Sequence, residues 1–392
     1  MNESLKQSFQ STFHHPAQFI FSAPGRTELS GNHTDHQLGV VLAGAVNLDT
    51  RAAVALNGEN VIRVKSEGYP PCEIDLGALS VRPEAYNSTI ALVRGVAAGF
   101  AERGFDVPGF DAYVTSRVLS GSGLSSSAAF EVLLGTVLNH LTGAKLDALT
   151  IAQIGQYAEN VYFGKPCGLL DQAAASLGGV VTIDFADQAA PKVERLALNL
   201  ADYGYALCIV DSGADHADLT DEYAAIPAEL GMICAHFGKK HLREVPEEDF
   251  YANLPALRTA AGDRAVLRAI HVYEENRRVL RQVEALRAGD FDTFLALVKA
   301  SGRSSWMYLQ NVIPAGYKEH QALAFTLALA EKLLEGEGAF RVHGGGFAGT
   351  IQAFVPLRKL EGFRAGMDAV LGEGRCQVLT IRPVGGILEE TV

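Results

Sequence analysis

Apolar and polar residues alternate along this chain with two periods, which together predict a mixture of strands and helices. Residues 39–56, VVLAGAVNLDTRAAVAL after Gly39, follow a strand pattern of small apolar side chains, and residues 110–118 repeat it. Helical spacing is clearest over 265–287, where apolar residues recur every three or four positions and Gly289 follows the end. Other helices are expected at 3–14, 88–102, 130–140, 146–163, 169–176, 291–299 and 323–334, and other strands at 19–22, 61–64, 180–185 and 205–210.

The order of these elements predicts an α+β protein. Strands and helices do not alternate regularly, so mixed or antiparallel sheets with helices fit better than a doubly wound parallel sheet. We expect two lobes, 1–198 and 199–392, with a site in the cleft between them. Residues 227–263 are charged and lack a clear period, which predicts an irregular excursion.

Composition narrows the class of partner. With 392 residues, 48% of them hydrophobic, the chain can fill one large or two moderate cores. A net charge of −12 without a Lys/Arg block argues against nucleic acid and against an anionic membrane. Five scattered cysteines without a CxxC pair, a polar start and no membrane-length apolar run predict a cytoplasmic protein with reduced thiols.

The stretch LSGSGLSSSAAFE, residues 119–131, lies where a predicted strand turns into a predicted helix. Its glycines let backbone N–H groups converge, and its serines add hydroxyls at a helix start that favours negative charge. It therefore predicts a phosphate site, although a flexible connection ending in a serine cap has the same composition. The Lys-Ser/Thr pair that closes a Walker loop is missing.

Three further segments carry candidate chemistry. APGRTELSGNHTDHQLG, residues 23–39, could form a pocket that recognises hydroxyl groups, or a polar surface loop. A metal at His33 and His36 is a weaker interpretation, because no third ligand stands at suitable spacing. Asp171 and Glu159 could instead have ordinary structural roles. Asp171 could be the dipole partner of a helix start, and Glu159 could be a solvated carboxylate on a helix face. The glycines of RVHGGGFAG, residues 341–349, permit close approach to a strand or a ligand.

Taken in order, these segments resemble the GHMP kinase superfamily, and most closely its galactokinase branch. The first segment is similar to GRxNxxGEHTDYxxGxVLPxA, and GLSSSA stands intact at 123–128. GKPCGLLDQ at 164–172 resembles GxPCGxxDQ, and HGGGFAG at 343–349 resembles TGGGFGG. RAIHVYEEN at 268–276 resembles the family's helical connector.

The resemblance implies an ATP-dependent sugar 1-kinase with the two-lobed GHMP fold, forming galactose 1-phosphate. It makes Asp171 the catalytic residue that faces the anomeric hydroxyl, with Arg26 against it. The expected ligands are ATP and Mg²⁺. The positions matching the family motifs are Gly121, Ser122, Gly123, Leu124, Ser125, Ser126 and Ser127 for ATP, Ser127 and Glu159 for Mg²⁺, and Asn32, His33, Asp35, Gly168 and Tyr223 for the sugar.

Departures from the family pattern leave the sugar open. Asn32 stands where galactokinases carry a glutamate near the far end of the sugar, so galacturonate is an alternative substrate, alongside N-acetylgalactosamine and arabinose. The tryptophan often found near residue 89 is absent, which leaves the adenine contact unassigned. A non-catalytic sugar sensor is the alternative of another class, but the intact GLSSSA loop, Asp171 and Arg26 favour the enzyme. We expect a monomer or weak homodimer.

Overall fold

The structure is a computed structural model of the 392-residue chain, and it describes residues 2–118, 123–165, 167–214 and 219–392.

Twelve strands in the described residues form two sheets. The larger sheet has the order β12-β1-β2-β5-β3-β4, and β6 joins β2 to β7; only β3 and β5 pair in parallel among these strands. The smaller sheet is antiparallel, in the order β11-β8-β10-β9. The strands are β1 Phe19–Ser30, β2 Val40–Leu56, β3 Val61–Ser66, β4 Cys72–Asp75, β5 Phe110–Ser116, β6 Val180–Asp184, β7 Lys192–Leu196, β8 Tyr205–Asp211, β9 Ala339–Val342, β10 Thr350–Pro356, β11 Cys376–Leu379 and β12 Ile387–Thr391.

Helices lie against both sheets and between them. Two π-helical turns, Ala158–Phe163 and Ser305–Leu309, continue α4 and α10. The α-helices of the described residues are α1 Asn2–Phe13, α2 Thr89–Ala101, α3 Ser126–Leu141, α4 Ala148–Tyr157, α5 Leu170–Leu177, α6 Thr220–His236, α7 Glu247–Ala252, α8 Leu254–Ala261, α9 Asp263–Arg287, α10 Phe291–Ser304, α11 Ala322–Leu334 and α12 Leu360–Leu371.

Each sheet has its own core, and a third core joins them. In the first, α2 and α3 pack on the larger sheet, with Phe21, Phe100 and Phe110 fully buried. In the second, α11 and α12 cover one face of the smaller sheet. Between the sheets, α9 and α10 contribute to a shared apolar cluster that includes Phe294 and Phe354. The predicted α+β class with mixed and antiparallel sheets is confirmed.

Residues 227–263 differ from the sequence prediction. They are helical rather than irregular, since α6 runs through Pro227 to His236 and α7 and α8 follow. Ile226, Leu230 and Ile233 of α6 are completely buried against α8 and α9. The excursion is therefore a packed helical layer.

The first strand is also longer than predicted. Much of the polar segment 23–39 continues β1 as far as Ser30, and nearly all of these side chains are buried. The cause is pairing on both sides, because β1 lies between β2 and β12. The polar residues of the segment therefore line the interior of the molecule.

The last strand returns to the first sheet. Residues Phe19 to Ser22 of β1 pair with the antiparallel β12 near the end of the chain. The division into two lobes at residue 198 stays a prediction. A boundary there would assign β12 to the second lobe, although β12 pairs with β1 in the sheet of the first. Among helices of the described residues, none is both long and apolar enough to cross a bilayer.

Candidate active site

The Gly/Ser segment enters α3 through two residues with a left-handed backbone. Gly123 has φ 72° and Ser125 has φ 58°, and α3 begins at the next residue, Ser126. Left-handed residues in a turn direct successive N–H groups to one side, and the start of a helix adds a positive dipole end. The backbone of the described part of the segment thus suits an anion, and binding of phosphate there stays a prediction. Gly121 and Ser122 lie outside the described residues.

Arg26 and Asp171 meet beside this segment. Arg26 Nε donates to Asp171 Oδ1 at 2.6 Å, and the Ser125 hydroxyl donates to Asp171 Oδ2 at 2.7 Å. Arg26 also donates from Nη1 to the carbonyl oxygen of Gly123. Burial alone would raise the pKa of the Asp171 carboxyl, but the Arg26 guanidinium outweighs it and holds that pKa below its ordinary value. Asp171 is therefore ionised at neutral pH.

Backbone contacts fix Arg26 in place. Its N–H donates to the carbonyl oxygen of Leu124 at 3.0 Å, which joins the middle of β1 to the Gly/Ser segment. A Cβ at Gly25 would lie 2.9 Å from that same oxygen, so only glycine permits this approach. The glycine of the first motif thus brings the arginine to the aspartate.

Ser127, the second residue of α3, lies against Glu159 of the π-helical turn that follows α4. The Ser127 hydroxyl donates to Glu159 Oε1 at 3.4 Å, and Lys165 Nζ lies 3.4 Å from the same oxygen. Gln172 Nε2 donates to Glu159 Oε2 at 2.8 Å, which turns Oε1 toward the serine. One hydroxyl and one carboxylate oxygen suit a hard cation that takes its other ligands from phosphate and water. In the described residues, no group of three acidic, His or Cys side chains forms a metal site by itself.

A cavity of about 530 Å³ opens beside the backbone that leads into α5, and four of the predicted sugar residues line it: His33, Asp35, Gly168 and Tyr223. Neither Asp171 nor Arg26 is among its lining residues. A Cβ at Gly168 would lie 2.0 Å from Asp35 Oδ2, so the glycine allows the carboxylate and the 167–169 backbone to meet. Pro227 of α6 also lines the cavity, so the helical layer reaches the site. The volume is in the range of small-molecule pockets.

A chain of hydrogen bonds orients the two imidazoles of the cavity. His33 Nε2 lies 3.0 Å from the carbonyl oxygen of Gly345, so this nitrogen carries the proton and Nδ1 accepts. His36 Nε2 then donates to His33 Nδ1 at 3.3 Å, and Gln37 Nε2 donates to His36 Nδ1 at 3.1 Å. Burial lowers the pKa of both imidazoles, that of His36 to about 3. Both are neutral at physiological pH.

Asp35 is the group in the cavity whose charge changes near neutral pH. Burial raises the pKa of its carboxyl to about 6, and the nearby Asp171 carboxylate adds to the effect. A buried carboxylate that accepts hydrogen bonds can hold sugar hydroxyls. Asp35 therefore changes from donor to pure acceptor between pH 5 and 7.

Asn32, predicted to contact the sugar, lies beneath the cavity. Its side chain is fully buried and is not among the lining residues. Asn32 Nδ2 donates to the carbonyl oxygen of Gly344 at 2.6 Å and to Glu28 Oε1 at 3.1 Å. Asn32 Oδ1 accepts from Asn311 at 2.9 Å and from Ser305 at 3.3 Å. A direct contact of this side chain with the sugar stays a prediction.

The glycine cluster at 344–346, with His343 before it, contacts both the wall of the cavity and the Gly/Ser segment. A Cβ at Gly345 would lie 2.6 Å from the Tyr223 ring, whose hydroxyl donates to the carbonyl oxygen of Gly346 at 2.6 Å. His343 packs against Gly123 of the Gly/Ser segment, where a Cβ would lie 2.8 Å from His343 Nδ1. The segment 343–346 therefore joins the cavity, through Tyr223, to the anion-binding turn, through Gly123.

Comparison with known proteins identifies the family of the chain. A model of the galactokinase galactose-binding signature matches residues 7–56, and a model of the GHMP kinases N terminal domain matches residues 91–179. Galactokinase from Glaesserella parasuis is 31% identical over 92% of this chain and 91% of its own length. Galactokinase from Streptomyces coelicolor is 31% identical over 94% of this chain and 90% of its own.

The chain belongs to the galactokinase family. The family predicted from the motifs is therefore confirmed. Lactococcus lactis galactokinase, solved in complex with galactose, superimposes with a TM-score of 0.83 at 25% identity, covering 98% of this chain and 99% of that one. A mevalonate kinase shares the fold, with a TM-score of 0.66 at 14% identity over 93% of this chain and 99% of the other.

The sequence prediction missed Glu131 of this galactokinase-family site. Glu131 and Glu159 both accept from the amide nitrogen of Gln172, at 2.9 and 2.8 Å. Burial raises the pKa of Glu131 well above its ordinary value, and the Glu159 carboxylate raises it further. Glu131 stands four residues after Ser127, hence on the same face of α3, and that spacing was the available signal.

Proposed function

We propose that this protein is a galactose 1-kinase, which transfers the γ-phosphoryl group of ATP to the anomeric hydroxyl of galactose. The Arg26–Asp171 pair carries the proposal, because it contacts the anion-binding turn and acts electrostatically on Asp35, which lines a cavity of sugar size. Membership of the galactokinase family supports the same reaction.

Asp171 accepts the proton of the attacking hydroxyl. Its pKa is low, so it is a weak base, and the proton moves only after the oxygen has begun to bond to phosphorus. That order suits a loose transition state, in which the leaving group departs early. The Ser125 hydroxyl, which also contacts this carboxylate, keeps it oriented.

Arg26 acts on the catalytic carboxylate and on the transferred phosphoryl group. It holds Asp171 ionised and reaches the carbonyl of Gly123, so its charge lies beside the turn that would hold the phosphates. A fixed cation at that point stabilises charge that develops on the transferring group. Gly121 to Ser126 are proposed to hold the β- and γ-phosphates through backbone N–H groups.

Ser127 and Glu159 are the residues that would hold Mg²⁺. Bound there with ATP, the ion would neutralise charge on the phosphate oxygens. Glu159 is 3% exposed and fixed by Gln172, so one of its oxygens is presented at a set position.

The sugar occupies the cavity beside Asp171. Asp35 and His33 offer an acceptor and an oriented imidazole to its hydroxyls, and Tyr223 and Gly168 form the walls. Asn32, which is buried under the cavity, is proposed to belong to the same sugar site. A cytoplasmic location and a monomer or weak homodimer remain predictions.

A coupled ADP-release assay with ATP, Mg²⁺ and a panel of free sugars tests the proposal. We expect turnover of galactose at about 1–100 s⁻¹, the usual range for kinases. Glu159→Gln should weaken the Mg²⁺ dependence of ATP binding measured by calorimetry, whereas exposed Glu194→Gln should not. ATP and galactose binding without ADP release on any sugar would instead identify a sensor.

A further inference from the structure

A single side-chain amide lies between two buried carboxyl groups near the start of α3. Gln172 Nε2 donates to Glu131 Oε2 at 2.9 Å and to Glu159 Oε2 at 2.8 Å. Glu131 and Gln172 are completely buried, and Glu159 is nearly so. Because an amide nitrogen carries two hydrogens, these contacts use both of them. They join three elements, since Glu131 lies on α3, Gln172 on α5 and Glu159 on the π-helical turn after α4.

The amide of Gln172 can face Glu159 with either end, and only one end allows a hydrogen bond. Turned over, its carbonyl oxygen would meet a carboxylate oxygen, and neither group could donate. Glu131 favours the bonded orientation, because it is a second acceptor beside the same nitrogen. A further contact of this nitrogen, with Cys167 Sγ at 3.8 Å, is weak. Gln172 Oε1 has no hydrogen-bond partner within the described ranges, so no contact fixes the amide from its oxygen end.

Helix α4 closes the cluster from a third side. A Cβ at Gly155 would lie 3.2 Å from Gln172 Cγ. Two carbon atoms prefer a separation of about 3.5–4.0 Å, so a larger residue would push the glutamine aside. This packing keeps the side chain in place, but it does not distinguish the two ends of the amide, which are nearly equal in size. Glu131 makes that distinction.

The orientation of the amide decides which oxygen of Glu159 is free. With Oε2 bound to Gln172, Oε1 faces the Ser127 hydroxyl and the Lys165 ammonium, each at 3.4 Å. A positive charge therefore already lies at this oxygen, on the side that Mg²⁺ would use. The Lys165 side chain is exposed, so it can move away when a cation binds with phosphate.

Glu131 serves this cluster as an acceptor rather than as a charge. Burial raises the pKa of its carboxyl well above the ordinary value, and the Glu159 carboxylate raises it further. No ion pair joins Glu131 to any residue of known placement, since Lys165 pairs with Glu159 and Arg26 with Asp171. An amide carbonyl in the place of Glu131 could therefore accept the same hydrogen bond.

We propose that Glu131 and Gln172 are positioning residues for the Mg²⁺ site. Glu131 turns the nitrogen end of the Gln172 amide toward Glu159, and Gln172 binds one oxygen of Glu159 so that the other is presented to the ion. Neither residue touches the ion, ATP or the sugar. This inference rests on the proposed function, in which Ser127 and Glu159 hold Mg²⁺ with ATP. Loss of a residue that orients a metal ligand usually costs about 10–100-fold in metal affinity.

Metal binding in the absence of sugar tests the proposal without turnover. The probe is Mn²⁺, whose dissociation constant from the complex of the protein with ATP is measured by electron paramagnetic resonance, and Mg²⁺ is then measured by competition. Glu131→Leu and Gln172→Met should each weaken metal affinity about tenfold or more. Glu131→Gln should stay within about threefold of the wild type, because its carbonyl oxygen accepts the same hydrogen bond. Galactose affinity, measured by calorimetry, should not change in these variants.

The double variant of Glu131→Leu and Gln172→Met should be no worse than Gln172→Met alone, because Glu131 acts only through the amide. Multiplied losses would show that the two residues act separately and would overturn the proposal. Wild-type metal affinity in either single variant would do the same, as would equal losses in Glu131→Gln and Glu131→Leu. Gln282→Met is the matched control, and its metal affinity should equal that of the wild type. Gln282 is a completely buried glutamine of α9 whose amide has no hydrogen-bond partner in the described part of the chain.

The outcomes separate this inference from the proposed function. A protein that binds ATP and metal but phosphorylates no sugar would refute the kinase and would still decide the role of Glu131, since the measurement needs no turnover. A wild type that binds no metal with ATP would overturn both. If Glu131→Leu or Gln172→Met does not fold, Glu131→Asp or Gln172→Asn takes its place. Their polar groups are one CH₂ shorter, so the same loss of metal affinity is expected, and an unchanged affinity would overturn the proposal.

Discussion

At the scale of single residues, Asp171 is held in one protonation state and one orientation. Arg26 binds one of its carboxylate oxygens and Ser125 binds the other. Both contacts favour the charged form, and together they outweigh the cost of burial. The carboxylate is therefore an ionised acceptor, aligned before any substrate arrives.

Asp171→Asn removes that acceptor without changing its size. We expect kcat to fall by about 10²–10⁴-fold, the usual effect of losing a general base, because the amide cannot take the proton. ATP affinity, measured by calorimetry, should change little. Asp187→Asn, at an exposed loop, is the control and should leave both quantities unaltered. Persistent phosphorylation by Asp171→Asn would exclude the role of a base.

Asp35 connects stability and sugar binding through pH. Its pKa is raised from 3.8 to about 6, so keeping it ionised in the folded protein costs stability. That cost is absent below pH 4, grows between pH 4 and 6, and is complete above pH 6.

Asp35→Asn should therefore raise the melting temperature of the ligand-free protein at pH 8, by about 2 °C or more, and not at pH 4. The same variant should bind galactose more weakly, because a carboxylate acceptor is lost. Asp106→Asn, at an exposed carboxylate, is the control. An equal shift at both pH values would show that ionisation is not the cause.

The sequence named the candidate reacting residues but not the residues that support them. Arg26, Asp35 and Asp171 stand in motifs with a recognisable pattern, so they could be named in advance. Glu131 and Arg341 act from the side of other elements, and only the packing of those elements brings them to Glu159 and Glu28. Such partners carry no local signal.

At the scale of elements, α6 shows how burial outweighs a local signal. Proline inside a helix costs about 3 kcal/mol, so Pro227 by itself disfavours the helix that the structure shows. Ile226, Leu230, Ile233 and Cys234 lie on one face and are all fully buried. Burying each large apolar side chain contributes about 1.5–3 kcal/mol, so the face as a whole exceeds the cost of the proline. Pro227 and Gly231, both unfavourable inside a helix, stand between these positions and hid the spacing.

The buried face of the long helix α9 (Asp263–Arg287) includes several polar side chains. His271 Nε2 donates to the carbonyl oxygen of Asn32 at 3.0 Å, and its Nδ1 accepts from Ser304 at 2.8 Å. Glu275 accepts from Ser301 at 2.6 Å and from the N–H of Gly31 at 3.1 Å. Ser301 and Ser304, three residues apart on α10, therefore hold these two side chains in place. The helix positions the first motif under the sugar cavity.

Glu275→Gln should lower the free energy of unfolding by about 3 kcal/mol, because it leaves Arg278 beside a neutral side chain in a buried site. Urea denaturation measures the change. Glu274→Gln, on the exposed face of the same helix, should cost less than about 1 kcal/mol. Similar losses for the two variants would contradict the role given to the buried face.

The pH dependence of Glu275 has the opposite sign to that of Asp35. Burial alone would raise its pKa, but Arg278 outweighs burial and lowers that pKa to about 2. Its contribution to stability is therefore present above pH 4.5 and is lost as the pH falls toward 2.

At the scale of the whole molecule, the site is built where two sheets meet. Arg26 and Asp171 come from the first sheet and the helices on it, and the glycine cluster follows β9 of the second sheet. The spacing of apolar residues along the sequence predicted the fold class and most of the helices and strands. It could not predict the return of β12 to β1, since pairing between the two ends of a chain leaves no local pattern.

The central claim is transfer of a phosphoryl group to the anomeric oxygen of galactose. Phosphorus NMR of the products formed from ATP, Mg²⁺ and galactose tests it most directly. We predict ADP together with one phosphomonoester coupled to the anomeric proton. A phosphomonoester at another hydroxyl, or ADP with inorganic phosphate alone, would contradict the placing of the anomeric hydroxyl at Asp171.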